Sequence, residues 1–250
     1  INAAGRLGQT DLAMELLLCD RQSQAMELAQ QLNELIEQRK ALVDHIYEEI
    51  NAKIARHPEI LQERVILLYG EGWHHGVIGI AAARLVEEYS KPCVLISIEE
   101  DQARGSARSV EGYSIIAAIS RCSSLLTRYG GHDQAAGMTV PVEHLREFID
   151  QMLQDAREHF DLMPADQLKI DAVVDAEQLN LKTVYGMQQL RPFGCGNEQP
   201  VVAMPGCRIE AICPLSENRH LRLKLSYQGK SFSAIYFRMS PDRFPFYIGD

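Results

Sequence analysis

From about residue 22 to 57 the apolar positions recur at threes and fours: Leu28, Leu32, Leu35, Ile36, Leu42, Val43, Ile46, Ile50 and Ile54. That spacing places them on one face of a helix. Pro58 ends the pattern, because proline cannot donate the next helical hydrogen bond. One uninterrupted helix of this extent would span roughly 50 Å at 1.5 Å per residue and would suit a connector between two lobes. The same positions also admit two ordinary helices broken near Arg39-Lys40. A shorter helix over 10–19, opening at Thr10 or Asp11, precedes it. Beyond residue 60 the period changes. Arg64–Tyr69 is a short apolar run of the kind buried strands show. It is followed by a helix over 77–89, a second strand over Pro92–Ile98 and a third near 103–108. A helix over 113–126 leads into a glycine loop at 130, then a strand at Met138-Thr139-Val140. A last helix over 143–160 carries the stripe Leu145, Phe148, Ile149, Met152, Leu153, Ala156 and Phe160. Strands alternating with helices predict an α/β (α+β) domain.

After Leu162-Met163-Pro164-Ala165 the character changes again. Leu168–Val174 alternates as a strand, and a short helix over 178–190 ends at Arg191-Pro192-Phe193-Gly194. Short strands come next at Val201-Val202, 208–213, 221–227 and 231–237. Within them His220-Leu221-Arg222-Leu223-Lys224-Leu225 alternates polar and apolar with a period of two. Strands at hairpin spacing predict a small barrel or sandwich. The expected organisation is therefore a helical connector at 1–59, an α/β domain at 60–162 and a β domain at 166–250. There is no internal repeat and no low-complexity tract.

Composition narrows the class. The chain has 250 residues, 46% of them hydrophobic and 24% charged, as is ordinary for a soluble globular protein of one or two domains. No stretch approaches a membrane span or a secretory signal, so a cytoplasmic location is expected. The chain starts at Ile1, so either residues were removed or this is a piece of a longer protein. The six cysteines are scattered without a C-x-x-C pair, which speaks against a zinc ribbon or a disulfide framework and for reduced thiols. The net charge of −9 argues by itself against a nucleic-acid partner. Its distribution changes that picture. Between Arg191 and Arg243 eight Lys or Arg residues stand against four acids. A locally basic face on an acidic body suits either phosphate-backbone binding or a solvated strand surface.

Two segments carry phosphate chemistry. In Arg104-Gly105-Ser106-Ala107-Arg108-Ser109, an extended backbone would put Arg104, Ser106 and Arg108 on one face. Guanidinium groups match phosphate oxygens as a fork, so this is a clamp or else an edge strand with its arginines in water. In Gly130-Gly131-His132, running on to Ala135-Ala136-Gly137, the glycines allow close approach and the imidazole can donate to a phosphate oxygen. That histidine could equally be a turn neighbour. Both segments are read as leading into helices. Gly72-Trp73-His74-His75-Gly76-Val77-Ile78-Gly79 lies where a strand feeds a helix, so its amides could hold an anion. It is neither a Walker loop nor a dinucleotide fingerprint. Arg6, between Gly5 and Gly8, lies in a terminal loop or makes a further phosphate contact. No cluster of aspartates and histidines stands at metal-ligand spacing; Asp133 beside His132 comes nearest.

Taken together, INAAGRLG (1–8), GWHHGVIGIAAARL (72–85), RGSARS (104–109), GGHDQAAG (130–137) and RPFGCGNEQP (191–200) resemble the single-strand-specific 5′→3′ DNA exonucleases of the DHH phosphoesterase family, across most of the chain and in the family's order. The resemblance implies a connector, a DHH-associated domain and the start of an OB-type barrel that binds single-stranded DNA. It implies that Arg6, Arg104, Ser106, Arg108 and Ser109 bind substrate phosphate with Gly130 and Gly131. His132 would be an auxiliary catalytic, phosphate-facing group, and Trp73 and His74 would line the cleft. Arg191, Asn197, Arg222 and Lys224 would contact DNA. The family's D-H-H signature is absent, since Asp44-His45 is a helix pair. The Mg²⁺ or Mn²⁺ of the complete enzyme is therefore expected on a domain missing here, with no metal on this chain, and the barrel is expected to be incomplete. Implied partners are single-stranded DNA, a single-strand-binding protein and a helicase, in DNA repair and recombination. Two alternatives stay open: a phosphodiesterase for oligonucleotides or cyclic dinucleotides, and a non-catalytic single-strand-binding module.

Overall fold

The computed structural model describes residues 1–160, 168–194 and 196–250. The sequence-based boundary at 162–166 and the thiol of Cys195 lie outside the described residues. The chain divides into two units, Ile1–Asp166 and Gln167–Asp250.

Unit 1 opens with α1 (Asn2–Arg6), α2 (Thr10–Leu18) and α3 (Gln22–Arg56). Helix α3 is unbroken over 35 residues, about 52 Å. Arg39 and Lys40 do not interrupt it, since both are good helix formers. Its buried stripe serves two cores. Leu32 and Leu35 pack against Ala3, Ala4 and Ala13 of the first two helices. Further along, Val43, Ile46, Tyr47, Ile50 and Ile54 pack on the sheet and on α4 (His75–Tyr89).

The sheet contains β1 (Ile66–Glu71), β2 (Cys93–Glu99), β3 (Gln102–Arg108), β4 (Arg128–His132) and β5 (Ala135–Pro141), in the order β1-β2-β3-β5-β4. The β1–β2 pair is parallel, joined through α4, and the others are antiparallel. Helix α4 packs on β2 and β3. On the other face α5 (Ile115–Arg121) and α6 (Leu145–His159) bury Ile115, Ile119, Phe148 and Met152 against Ala103, Ala107, Ala136 and Met138. Two apolar layers around a sheet agree with the α/β class read from the sequence.

The glycine segment needs correction. Residues 128–141 form a tight hairpin, not a loop that precedes a strand, and the element after Gly130-Gly131-His132 is strand β5, not a helix. Glycine usually signals a turn, but here Gly131 is required within a strand. Its φ is +152°, and a Cβ there would lie 2.3 Å from the carbonyl oxygen of Ala135. The true turn, Asp133-Gln134, is tied to the end of β3 and the start of α5. The amide of Ser109 donates to the Gln134 carbonyl, that of Ile115 donates to the Asp133 carbonyl, and Ser114 Oγ donates to Asp133 Oδ1 at 2.5 Å.

Unit 2 holds β6 (Ala172–Val173), α7 (Leu181–Gln188), β7 (Val202–Ala203), β8 (Arg208–Leu215), β9 (His220–Tyr227) and β10 (Lys230–Tyr236). Strands β10-β9-β8 form an antiparallel sheet, and β6 pairs with β7 in parallel. The strand expected over 168–174 is reduced to the two residues of β6. Along β9, Leu221 is buried while Arg222 and Lys224 are exposed, as the period of two requires.

Candidate phosphate-binding site

In β3 the side chains alternate. Ala103 and Ala107 point into the core beneath α5 and α6, so Arg104, Ser106 and Arg108 point toward α4. Helix α4 reaches them because it carries glycine where it crosses. A Cβ on Gly79 would lie 2.7 Å from Ser106 Oγ and 3.0 Å from an Arg108 guanidinium nitrogen. Arg108 Nη1 donates to Ser106 Oγ at 3.3 Å and to the Ala107 carbonyl at 2.7 Å.

Arg6 comes from the far end of the sequence. Its helix docks on the first turn of α4 at Gly76, where a Cβ would meet the Arg6 carbonyl oxygen at 2.0 Å. Arg6 Nη1 donates to the Gly76 carbonyl at 3.2 Å. The guanidinium of Arg108 is pushed below its ordinary pKa, first by burial and then by Arg6, while the Cys93 thiol opposes the shift weakly. Among the described residues no carboxylate forms a salt bridge with Arg108 or Arg6. Two guanidinium groups share one corner with a serine hydroxyl. Such an arrangement favours an anion, and two forked donors fit the oxygens of a phosphate.

The sheet register carries the glycine-histidine segment to the same face. Arg108 is opposite Ala135, which is opposite His132. Directly opposed residues in antiparallel strands project to one side, so Arg108 and His132 flank Ala135 about 10 Å apart at the backbone. His132 is exposed, and its Nδ1 accepts the Gln134 amide at 3.4 Å, which leaves the ring proton on Nε2. Gly130 belongs to the next row, opposite Gly137 and Ser106, with open space above it. His74 caps α4, its Nδ1 accepting from the Gly76 amide at 3.1 Å, and stacks on His75 at 5.3 Å.

Other expected residues are elsewhere. Trp73 does not line a cleft. It is 2% exposed, packs under Gly70 and donates to Glu49 Oε2 at 2.7 Å. Ser109 is buried on the opposite side of the alternation and donates to the Tyr113 carbonyl at 2.7 Å, so it faces no phosphate. Arg104 is on the right face but already meets Glu99 at 3.8 Å, which also holds His75 at 3.1 Å. In unit 2, Asn197 spends its side-chain amide on the carbonyls of Leu190 and Pro192, both at 2.9 Å, and so braces a turn. Arg191 approaches the Phe193 ring at 5.9 Å. Arg222 and Lys224 stand side by side on the solvent face of β9.

Comparison with known proteins gives the frame. Residues 62–158 match the DHHA1 domain and residues 170–247 match the RecJ OB domain. The chain thus combines a DHHA1 domain with a RecJ OB domain and matches the C-terminal part of RecJ. It is 28% identical over 243 residues to the single-stranded-DNA-specific exonuclease RecJ of Bacillus subtilis, covering 95% of this chain and 30% of that protein. It is 31% identical over 225 residues to RecJ of Thermus thermophilus, covering 90% and 32%. The crystal structure of Thermus thermophilus RecJ in complex with Mn²⁺ matches with a TM-score of 0.74 and 25% identity, over all of this chain and 41% of that one. The chain thus spans about a third of the length of the curated relatives it matches.

Manganese is present in that RecJ structure. Among the described residues of this chain, no group of three or more His, Cys, Asp or Glu side chains could hold such an ion. His132 and Asp133 do not form one, because Asp133 is engaged by Ser114. Also among the described residues, no helix is long and apolar enough to cross a membrane, and Cys19, Cys93, Cys122, Cys207 and Cys213 are free thiols.

Sequence reasoning overlooked two residues of the DHHA1 domain. Gly79 carries no chemistry, but its lack of a side chain admits Ser106 and Arg108 beneath α4. The signal was there in Gly76 and Gly79, one turn apart in a helix, where glycine costs about 1 kcal/mol unless something comes close. By spacing Asp133 suggests only a metal ligand beside His132, whereas it anchors the turn that places that histidine.

Proposed function

We propose that this chain is the substrate-gripping portion of a single-stranded-DNA-specific exonuclease of the RecJ family, acting in repair and recombination with the 5′→3′ polarity that the family resemblance implies. The observation that carries this reading is the Arg108 guanidinium. It is half-buried beside Arg6 and the Ser106 hydroxyl, and among the described residues no carboxylate is paired with it. A protein keeps such an uncompensated charge out of water only at a cost, and a phosphate would remove that cost. In this reading Ser106, Arg108 and Arg6 hold the phosphate, and His132 reaches it from across β5 as a proton donor. The OB domain adds a second hold on the strand through Arg222 and Lys224. A divalent metal bound outside this chain would supply activated water. The single-strand-binding protein and helicase proposed as partners would act on the same strand.

The test is fluorescence anisotropy of a labelled oligonucleotide over a series of salt concentrations. The expected result is preference for single over double strands, affinity that falls steeply with salt, and a large loss on Arg108→Ala. The purified chain should not cleave DNA. Equal affinity for duplex, or an Arg108→Ala chain that binds as well as the parent, would overturn the proposal.

A further inference from the structure

On the face of the sheet that α4 packs against, three cross-strand rows run from β3, under or beside the helix, across β5 to β4, where the sheet is open. The first is Arg108–Ala135–His132, the second Ser106–Gly137–Gly130, and the third Arg104–Thr139–Arg128. The first and third rows repeat one design: a basic residue on β3, a small one on β5 and a basic one on β4. The middle row has no side chain at two of its three positions. Gly137 is exposed, and a Cβ on Gly130 would meet nothing within 4 Å. The result is an open groove of about 600 Å³ that begins at the glycine pair beside the first row and runs past Arg104, Thr139 and Arg128 to Gln102, with His75 and Ile78 of α4 as one wall.

Charge is not evenly spread along it. Glu99 meets both Arg104 and His75, so it takes up part of the positive charge of the third row. Arg128 is exposed and enters the groove from the edge strand, where every residue of β4 is open to solvent. At about 3.3 Å per residue, the first and third rows are roughly 13 Å apart along the strands. One phosphate cannot touch both. Successive phosphates of one strand can, where the long side chains of Arg108, Arg104 and Arg128 reach inward to meet them, with the sugar and base over the glycine pair against Ile78 and His75.

We propose that the Arg104–Thr139–Arg128 row is a second phosphate-binding position, so that this domain grips an oligonucleotide backbone at two points rather than a lone terminal phosphate. This rests on the reading of the first row as a phosphate site. The ligand class is a nucleotide chain of at least two phosphates, read without regard to base, because the glycine pair offers backbone and no side-chain donor or acceptor.

The test compares 5′-phosphorylated thymidine mono- and dinucleotides, by calorimetry or NMR titration, and a ten-residue thymidine strand by anisotropy. The parent chain is expected to bind the dinucleotide about tenfold more tightly than the mononucleotide, the worth of one added charge-assisted contact. Arg128→Ala should remove that advantage and leave mononucleotide affinity unchanged. Gly130→Leu, which fills the space over the glycine pair where there is room for a side chain, should also remove it. Arg146→Ala, which removes a charge on α6 away from the groove, should leave the ratio intact. If the parent binds the long strand and Arg108→Ala weakens it, yet Arg128→Ala and Gly130→Leu leave the ratio unchanged, the second position is wrong and the first stands. A ratio lost equally with Arg146→Ala overturns it as a general charge effect. If the parent binds none of the three probes, both readings fall.

Discussion

Arg108 in the DHHA1 domain and the Arg222–Lys224 pair in the OB domain are both basic and both sit on strands, but they are built on opposite principles. Arg108 is partly out of water, fixed by Ser106 and the Ala107 carbonyl, and crowded by Arg6. Arg222 and Lys224 stand in solvent, where they are free to turn and are screened by salt. The first arrangement is paid for in folding and is ready for an anion. The second costs little and selects little. In the proposed function the two would divide the labour: the DHHA1 domain would fix a phosphate, and the OB domain would add a looser hold on the strand.

That contrast can be broken in several places. Gly79→Val has the largest expected effect. It drives a side chain into Ser106 and Arg108, and oligonucleotide affinity should fall about a hundredfold while circular dichroism shows the helices intact. Next, Arg108→Met should weaken binding roughly thirtyfold, the worth of a hydrogen-bonded charge in a half-dry site, about 2 kcal/mol. It should at the same time raise the melting temperature, since it removes an uncompensated charge. Arg222→Met should leave the melting temperature alone.

Asp155 tests whether grip and stability separate. Burial alone would raise its pKa, but the hydrogen bonds from Arg121 and Tyr113, reinforced by nearby His159, hold it below the ordinary carboxylate value. A depressed carboxyl stabilises the fold above its unfolded pKa, near 3.9, and that contribution is lost as pH falls through the lower folded value. Asp155→Asn should cost about 2 kcal/mol in denaturant melts at neutral pH. It should flatten the acid limb of stability against pH and leave DNA affinity unchanged while folded. The smallest effect belongs to the OB domain. Arg222→Ala and Lys224→Ala should each weaken binding about threefold and lower the slope of log affinity against log salt by about one.

Local period made much of the chain legible. The stripe along α3 and the alternation in β3 predict which residues share a face, and both faces are found in the structure. Ser109 is drawn in by adjacency to a motif, although the same alternation turns it inward. Trp73 attracts attention for its size, and its size is the reason it is buried. Strand β4 is hidden because Gly130 and Gly131 look like a turn unless one knows that the backbone of Ala135 passes against them. Gly79 and Arg128 depend on which element crosses which strand and in what register, and one-dimensional spacing does not hold that information.

The small helix that brings Arg6 has only five residues, too few to persist alone in water. It persists because Ala3 and Ala4 seat against α3 and its end meets Gly76. The anion corner is therefore the ending of a long loop closure, complete only where Arg6 and Arg108, 102 positions apart in the chain, have met. An anion bound there would hold that ending shut, and amide hydrogens of residues 2–6 should exchange more slowly in its presence than without it.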